Sequence, residues 1–155
     1  MLFTVARRYC GQMQDAQDVL QDSFVKILNA LQTNYSEEGK LEAWMRTVVI
    51  TTALNHLNSR KRKFETAVED IPFDAGNSPE VYAQLGAEQL LKLVESLPDG
   101  YREVFNLAVI ENYSHREISE LMGISEGTSR SQLMRARQLL QKMIERIENY
   151  AYGNE

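Results

Sequence analysis

Residues 114–138, SHREISELMGISEGTSRSQLMRARQ, contain the start and stop signals of two consecutive helices. Ser114 and Glu117 form an S-x-x-E capping box, in which each side chain satisfies a backbone N–H of the first helical turn. Gly123 is suited to end this helix in a left-handed conformation, because glycine lacks the Cβ that disfavours positive φ. Ser125 is a good cap for a second helix. The stretch therefore predicts a short helix, a tight turn and a longer helix.

The longer helix has one apolar face and one polar face. Its predicted inward stripe is Leu133, Ala136, Leu140, Met143 or Ile144, and Ile147, and the short helix contributes Ile118, Leu121 and Met122. The outward face carries Arg130, Ser131, Gln132, Arg135 and Arg137. This pattern is typical of a helix-turn-helix motif, whose second helix enters the major groove of DNA. The alternative is an ordinary helical hairpin with a solvated basic face, because short motifs of this kind produce false positives.

The composition favours packed domains and gives no sign of a cofactor. The 155 residues allow one domain or two small ones, and the 43% apolar content is enough for packed cores. Cys10 is the only cysteine, so neither an intrachain disulfide nor a thiolate cluster is expected. His56 and His115 lack ligand spacing and are expected to be ordinary surface or partly buried histidines. With no long apolar run and no signal-peptide pattern, we expect a cytoplasmic protein without membrane insertion.

The sequence contains no recognisable catalytic motif. No serine has a histidine and a carboxylate in any of the known triad orders, and no G-x-x-x-x-G-K-[ST] or G-x-G-x-x-G phosphate loop occurs. The carboxylates fall on helix faces beside basic neighbours instead of converging in an apolar pocket. We therefore expect that the protein is not an enzyme.

Charge is distributed unevenly along the chain, and its net value of −5 by itself argues against a nucleic-acid binder. Residues 1–63 carry nine Lys/Arg and six Asp/Glu, residues 64–85 carry five Asp/Glu and no base, and residues 86–155 carry eight bases and eleven acids. Bases cluster at residues 60–63 and 130–137. We expect local contact with DNA but weak binding by the protein alone, since neutralised phosphates supply most non-specific affinity.

Helical periodicity predicts three helices before the acidic segment, Leu2–Cys10, Asp15–Leu31 and Glu42–Arg62, with a loop over Thr33–Leu41. The first has Leu2, Val5, Ala6 and Tyr9 on its inward face, with Arg7 and Arg8 off it. The second has Ala16, Val19, Leu20, Phe24, Ile27, Leu28 and Leu31 inward, and the third has Trp44, Val48, Ala53 or Thr52, and Leu57. A short strand is the competitor over the β-branched run Thr47–Thr52.

Two charged features of these helices exceed what helix stability requires. Asp15, Asp18 and Asp22 share one face of the second helix, and the helix dipole explains the first two but not Asp22. An acidic stripe without a partner in the chain indicates a basic docking surface on another molecule. The third helix ends in RKRK at residues 60–63, more cations than a helix C-terminus needs, which favours a phosphate contact.

The second half of the chain is predicted to be a separate helical domain. Residues 64–83 read as an acidic linker, which is either a solvated tether or a segment that threads a basic channel. One helix is predicted over Tyr82–Ser96, and a second begins with Pro98 at its N1 position. The helix-turn-helix follows, and its second helix extends to about Tyr150. Their inward residues are Leu85, Leu90, Leu93, Val94 and Leu97, then Tyr101, Val104, Phe105, Ala108 and Val109. The predicted class is all-α, with two small helical domains, 1–63 and 84–155.

The order of these parts resembles bacterial RNA polymerase sigma factors of the extracytoplasmic-function (ECF) group, over about residues 1–148. Three stretches carry the resemblance: DAQDVLQDSFVKIL at 15–28, EAWMRTVVITTALNHLNSRKRK at 42–63, and LPDGYREVFNLAVIENYSHREISELMGISEGTSRSQLMRARQLL at 97–140. The resemblance implies that the first docks on the polymerase clamp coiled coil. It implies that the second opens and reads the minus-ten element, and that the third reads the minus-thirty-five element.

The resemblance also implies roles for individual residues. The polymerase-docking face would be Asp15, Asp18, Gln21, Asp22 and Phe24. The minus-ten surface, which holds unstacked bases by stacking, hydrogen bonds and cations, would be Tyr35, Ser36, Lys40, Trp44, Asn55, Asn58, Arg60, Lys61, Arg62 and Lys63. The minus-thirty-five surface would be Ser125, Thr128, Arg130, Ser131, Gln132, Met134, Arg135 and Arg137. The implied partners are core RNA polymerase, promoter DNA and an anti-sigma factor, with no cofactor.

The chain departs from the family pattern at several points. Thr51 stands where the family often has Asn, and Asn55 where Asp is frequent. Ser129 replaces an apolar residue, usually Val, on the inward face of the recognition helix, and Gln132 replaces a frequent Arg. The last two are expected to weaken or retune minus-thirty-five recognition. The family's first helix normally begins some turns before Met1, so a truncated start is expected.

Two other functions fit parts of the sequence. A stand-alone helix-turn-helix repressor or activator explains residues 114–138, but not the acidic helix or the helix that ends in RKRK. A helical adaptor that sequesters a partner explains the helices but gives no role to their acidic and basic faces. Tight DNA binding by the pure protein would favour the repressor, and absence of polymerase-dependent transcription would favour the adaptor.

Overall fold

The computed structural model describes residues 1–33, 40–63 and 86–152, which form seven α-helices and one π-helical segment. The chain divides into two compact units, Met1–Thr66 and Ala67–Glu155. No β-strand occurs in the described residues, and the predicted all-α class with two helical domains is confirmed. The strand considered for Thr47–Thr52 is wrong, because this run lies inside a helix. Among the described helices, none combines the length and apolarity needed to cross a membrane.

The first unit is a bundle of α1 (Leu2–Cys10), α2 (Met13–Thr33) and α3 (Leu41–Lys63), in which each helix packs against the other two. The helix α1 has its predicted bounds; Gly11 follows it with a φ of 70°, and its N–H donates to the Arg7 carbonyl at 3.1 Å. The core consists of Val5, Ala6, Tyr9, Cys10, Ala16, Val19, Ile27, Val49, Ile50, Ala53, Leu54 and Leu57.

Apolar spacing assigned the wrong face to part of α2. Phe24, Leu28 and Leu31 were predicted inward, but they are 43%, 57% and 43% exposed. Ser23 is buried instead, and its hydroxyl donates to the Val19 carbonyl at 2.6 Å, so the helix itself satisfies this polar group. Because α1 and α3 cover only one side of α2, its second apolar stripe stays on the surface.

The buried faces of α1 and α3 also differ in part from the predicted ones. Arg8 was placed off the inward face of α1, yet it is buried. On α3, Trp44 and Val48 are only half-buried, while the adjacent pair Val49 and Ile50 is fully buried. Long apolar runs fit more than one helical face, so the sequence alone does not select the one that meets α1 and α2.

The second unit consists of α4 (Ala87–Glu95), α5 (Asp99–Phe105), a π-helical segment (Asn106–Ile110), α6 (His115–Met122) and α7 (Glu126–Tyr152). Helix α7 packs against α4, α5 and α6 and is the central element. One core cluster joins Val94 and Leu97 to Ala136 and Leu140 of α7, with Leu93, Tyr101, Phe105 and Leu139 packed against it. The predicted helical start at 82–85 and the linker lie outside the described residues. Ile147, predicted inward, is 39% exposed.

The π-helical segment explains why the predicted inward face after Pro98 is partly wrong. Pro98 is the N-cap of α5 and not its first residue. The Glu111 N–H donates to the Asn106 carbonyl, five residues earlier, at 2.9 Å. A turn closed by an i→i+5 bond holds more residues than an α-helical turn, so the inward face shifts along the sequence. Leu107 is therefore fully buried, whereas Val109, predicted inward, is 46% exposed.

Candidate nucleic-acid interface

The helix-turn-helix segment has the capping hydrogen bonds that its sequence predicted. The Ser114 N–H donates to the Glu117 carboxylate at 2.7 Å, and the Glu117 N–H donates to the Ser114 hydroxyl at 3.3 Å. Gly123 adopts φ 66° and ψ 32°, the left-handed conformation. The Ser125 hydroxyl accepts the Thr128 N–H at 2.9 Å and so caps α7. Both helix boundaries of the predicted helix-turn-helix are confirmed.

The capping box makes the stability of the second unit depend on pH. Hydrogen bonds from the Ser114 hydroxyl and backbone N–H lower the pKa of Glu117 below its ordinary value of 4.5. A carboxyl group whose pKa is lower in the folded state stabilises the fold above its ordinary pKa, and this contribution is lost as pH falls through the folded value. We expect Glu117→Gln to lower the thermal midpoint at neutral pH, with the difference from wild type shrinking below about pH 4.5. Melting curves across this range measure it, and a pH-independent difference contradicts it.

The outward face of α7 presents the basic side chains that the sequence predicted. Arg130, Ser131, Met134, Arg135 and Arg137 are exposed, opposite the buried stripe of Leu133, Ala136, Leu140 and Ile144. Two of the arginines contact neighbouring side chains. Arg130 pairs with Glu126 of its own helix at 3.0 Å, and Arg135 donates to the Tyr101 hydroxyl of α5 at 3.3 Å. The basic groups are thus directed outward from a helix with a fixed buried side.

Gln132, predicted to lie outward, is only half-exposed and faces α5. Its amide nitrogen lies 3.2 Å from the position that a Cβ on Gly100 would occupy, so α5 and α7 approach closely here. Its side-chain oxygen is buried without a hydrogen-bond partner in the described part of the chain. The packing between helices, which helical spacing does not report, turns this side chain away from the open surface.

The remaining predicted residues of this surface lie at the start of α7. Ser125 and Thr128 are exposed, and their hydroxyls are 2.8 Å apart, so both take part in the cap. Ser129 is fully buried, as predicted, and its hydroxyl lies 2.8 Å from His115 Nδ1. The sequence reading missed Tyr101, His115 and Glu126 as neighbours of the recognition helix. Only the last was detectable, because Glu126 and Arg130 have the i, i+4 spacing of a helical ion pair.

The second candidate surface lies on α2, and Asp15 is less exposed there than the other two acids. Asp18 and Asp22 are exposed, as is Gln21 between them. The Asp15 carboxylate instead lies 3.5 Å from Nε2 of His56 on α3, and only 16% of its side chain is exposed. The prediction that Asp15 has no partner within the chain is therefore wrong. The spacing of acids along a helix does not reveal which of them faces the neighbouring helix.

The exposed face of α2 combines acidic and apolar groups. Val25 and Leu28, which are 59% and 57% exposed, continue the helical stripe of Asp18, Gln21 and Asp22. Phe24 and Leu31 lie beside it and are each 43% exposed. We call this set of residues the α2 surface. A contiguous apolar strip bordered by carboxylates is typical of a protein-binding surface.

The candidate minus-ten residues fall mainly on α3. Trp44, Asn55 and Asn58 lie at helical spacing on one side of it, half-buried or exposed. Lys40, just before the helix, is exposed. Tyr35 and Ser36 lie outside the described residues, as do the side chains of Arg60, Lys61, Arg62 and Lys63, whose backbone forms the last turn of α3. No group of His, Cys, Asp or Glu within the described ranges is arranged to hold a metal ion.

Comparison with known proteins matches each unit to a protein family. Residues 1–63 match the family described as sigma-70 region 2, and residues 87–140 match sigma-70 region 4. The chain is 32% identical over 145 residues to the ECF RNA polymerase sigma factor SigE of Mycolicibacterium smegmatis, covering 90% of this chain and 55% of the relative. It is 31% identical over 151 residues to the RNA polymerase sigma-H factor of Pseudomonas aeruginosa, covering 89% of this chain and 77% of the relative.

A solved structure is similar in fold. It is the sigma factor RpoE in complex with the anti-sigma factor NepR from Bartonella quintana, with a TM-score of 0.58 and 22% sequence identity. The similarity covers 93% of this chain and 89% of that one. The chain spans only about half the length of the SigE relative, so these comparisons describe the two matched regions.

Proposed function

The chain belongs to the ECF group of RNA polymerase sigma factors, and from this we propose that it binds core RNA polymerase and directs promoter recognition and DNA opening. In this proposal the first unit docks on polymerase and acts on the minus-ten element, and the second reads the minus-thirty-five element. The protein recognises promoter DNA in the cytoplasm, while the polymerase performs the chemistry of RNA synthesis. An anti-sigma factor, such as the partner in the Bartonella structure, is a further proposed partner.

The outward arginine face of α7 is the observation that carries the proposal for the second unit. Arg130, Arg135 and Arg137 lie on a helix whose opposite side is buried in the core, directly after a capped helix and a left-handed glycine. A helix-turn-helix presents its second helix to the major groove in this way. Arginine is suited to guanine because its guanidinium donates two hydrogen bonds to O6 and N7.

The α2 surface supports a sigma factor over a stand-alone repressor. A repressor that binds its operator alone has no use for exposed carboxylates beside exposed Val25 and Leu28. A docking helix does, because apolar contact supplies affinity while the carboxylates select a basic partner. The net charge of −5 agrees with a sigma factor, since the polymerase would supply most of the affinity for DNA.

Run-off transcription tests the proposal. Purified chain and core RNA polymerase are mixed with fragments of the source genome, and each component alone is the control. We expect transcripts from discrete start sites only when both are present. Tight, sequence-specific DNA binding by the pure chain without such transcripts would instead support the repressor. Absence of both would support a helical adaptor.

The position of Asp15 predicts that the three acids of α2 contribute unequally to polymerase binding. Asp15→Asn removes the charge that faces His56 but leaves the exposed carboxylates in place. We expect it to weaken polymerase binding by less than about threefold, because the Asp15 carboxylate faces α3 and only 16% of its side chain is exposed. Asp22→Asn, the matched variant on the exposed side, should have the larger effect in the same titration. Equal losses would return Asp15 to the docking face.

A further inference from the structure

The interface between α6 and α7 contains a partly buried polar contact at a position where an apolar one would suffice. Ser129 has no exposed surface, and its hydroxyl lies 2.8 Å from Nδ1 of His115. His115 is the first residue of α6 and follows the capping residue Ser114. Ser129 lies in the first turns of α7, directly before Arg130. The contact therefore joins the start of one helix of the motif to the recognition end of the other.

A hydrogen bond at this place constrains the two helices more narrowly than apolar packing does. Its donor and acceptor must stay about 2.7–3.2 Å apart and well aligned. Sliding or rotating α7 against α6 would break the hydrogen bond between the two helices, which destabilises this arrangement. A valine at the same position would only change its van der Waals contacts. The pair thus holds α7 in one rotational setting.

The rotational setting of α7 determines where its outward side chains meet DNA. A helix with its side chains has a radius of about 5–6 Å, so rotating it by about 10° moves a side-chain end by about 1 Å. Arg130 and Ser131 directly follow the locked position and would be displaced with it. A bidentate contact to guanine requires both hydrogen bonds at once, so a shift of this size weakens it.

We propose that His115 and Ser129 are positioning residues for minus-thirty-five recognition, and that residue 129 influences promoter choice without itself reaching DNA. The proposal rests on the assignment of minus-thirty-five recognition to the second unit. It accounts for serine at an inward position of the recognition helix, where a polar group is otherwise unfavourable. The serine is matched by a partner 14 positions earlier on α6.

The experiment compares two templates with holoenzyme reconstituted from core RNA polymerase and the full chain. One carries a promoter obtained by run-off transcription, and the other is identical except for a scrambled minus-thirty-five element. We expect Ser129→Ala and His115→Phe each to lower the ratio of transcripts from the two templates about three- to tenfold. The double variant should lower it no further, because either substitution alone removes the whole contact.

Three further variants separate positioning from general stability. His115→Asn places a side-chain amide group about where the imidazole Nδ1 lies, and it should keep the ratio within about twofold of wild type. His115→Gln extends the amide beyond this place and should behave like His115→Phe. Ser96→Ala removes a hydroxyl that bonds the Leu93 carbonyl at 2.7 Å in the same unit, and it should leave the ratio unchanged. Thermal melts identify any variant that does not fold.

Each outcome decides the proposal. An unchanged ratio in folded Ser129→Ala, or an equal loss on both templates, would overturn the positioning role and leave the contact a purely structural one. Independent losses that add in the double variant would also overturn it. A wild-type holoenzyme that ignores the minus-thirty-five scramble would instead refute the role of the second unit, and no transcription by wild type would refute the proposed function itself.

Discussion

Replacing both Asp18 and Asp22 by arginine is expected to reduce binding to core RNA polymerase at least about 100-fold while leaving the helical content unchanged. Both carboxylates are exposed on α2, and the helix packs into its bundle through the other side, at Ala16, Val19 and Ile27. The substitutions therefore do not touch the core. Like charges brought together at an interface are unfavourable by several kcal/mol, and about 2.7 kcal/mol corresponds to the 100-fold change.

Titration of labelled protein with core polymerase measures this loss, and circular dichroism checks the fold. Glu88→Arg with Glu145→Arg is the matched control, because it changes net charge equally at two exposed positions of the second unit. This control should bind within about threefold of wild type. Undiminished binding by a folded Asp18→Arg, Asp22→Arg variant would contradict the docking role of the α2 surface. Equal losses in both double variants would mean that overall charge, and not this surface, governs binding.

Removing the arginine side chains of α7 should produce the second large effect. Arg130 and Arg135 are five residues apart, about 7.5 Å along the helix axis, so they meet different groups on DNA. We expect Arg130→Ala and Arg135→Ala each to reduce transcription from the cognate promoter. At least one should relax specificity at a single minus-thirty-five base, because a bidentate arginine–guanine contact supplies about 1–3 kcal/mol of discrimination.

The contacts of the two arginines favour Arg135 as the base reader. Tyr101 of the neighbouring helix α5 orients the Arg135 guanidinium through a hydrogen bond, whereas Arg130 pairs with the Glu126 carboxylate of its own helix. Transcription from promoters substituted at each minus-thirty-five position distinguishes the roles. Tyr101→Phe, which removes only the hydroxyl, should reproduce part of the Arg135→Ala effect and add nothing to it. A loss that is uniform over all promoters would indicate phosphate contacts only. No loss in either arginine variant would contradict entry of α7 into the groove.

The features that the sequence predicted well are those decided by local chemistry. The capping box of Ser114 and Glu117, the left-handed Gly123 and the cap at Ser125 each involve residues within one helical turn or its flanks. Their hydrogen bonds follow from spacing alone, so the start of α7 and its outward arginines were predicted from the same stretch. The all-α class followed because helical periodicity ran through most of the chain.

The errors concern which face of a helix meets another helix. Phe24 fits the apolar spacing of α2 as well as Ile27 does, but α1 and α3 cover only the side that contains Ile27. Exposed apolar side chains of a protein-binding surface have the same helical periodicity as buried core residues. The sequence does not reveal the partner of Asp15 for the converse reason, since His56 lies on a helix distant in sequence. Neither distinction is encoded in the spacing of residues along a single helix.

Buried polar residues were the other class that spacing could not detect. Arg102 is almost fully buried, yet its guanidinium donates to the carbonyls of Leu97 and Glu95 at the end of α4. It thereby satisfies backbone oxygens that the helix end leaves unpaired. A search for apolar stripes passes over such a residue. The π-helical turn that follows α5 was also not predicted, because no residue type is a signal for an i→i+5 hydrogen bond.

The division of α7 into a buried stripe and an exposed stripe has an evolutionary consequence. Leu133, Ala136 and Leu140 maintain the second unit, while Met134, Arg135 and Arg137 alternate with them along the same helix and project into solvent. Exposed helical positions usually accept substitution at a cost within about 0.5 kcal/mol. Under the proposed function, new promoter preferences are therefore accessible through single substitutions that leave folding intact. After a gene duplication, the exposed positions of the two copies can diverge, and with them the genes that each copy controls, while both copies keep the same fold.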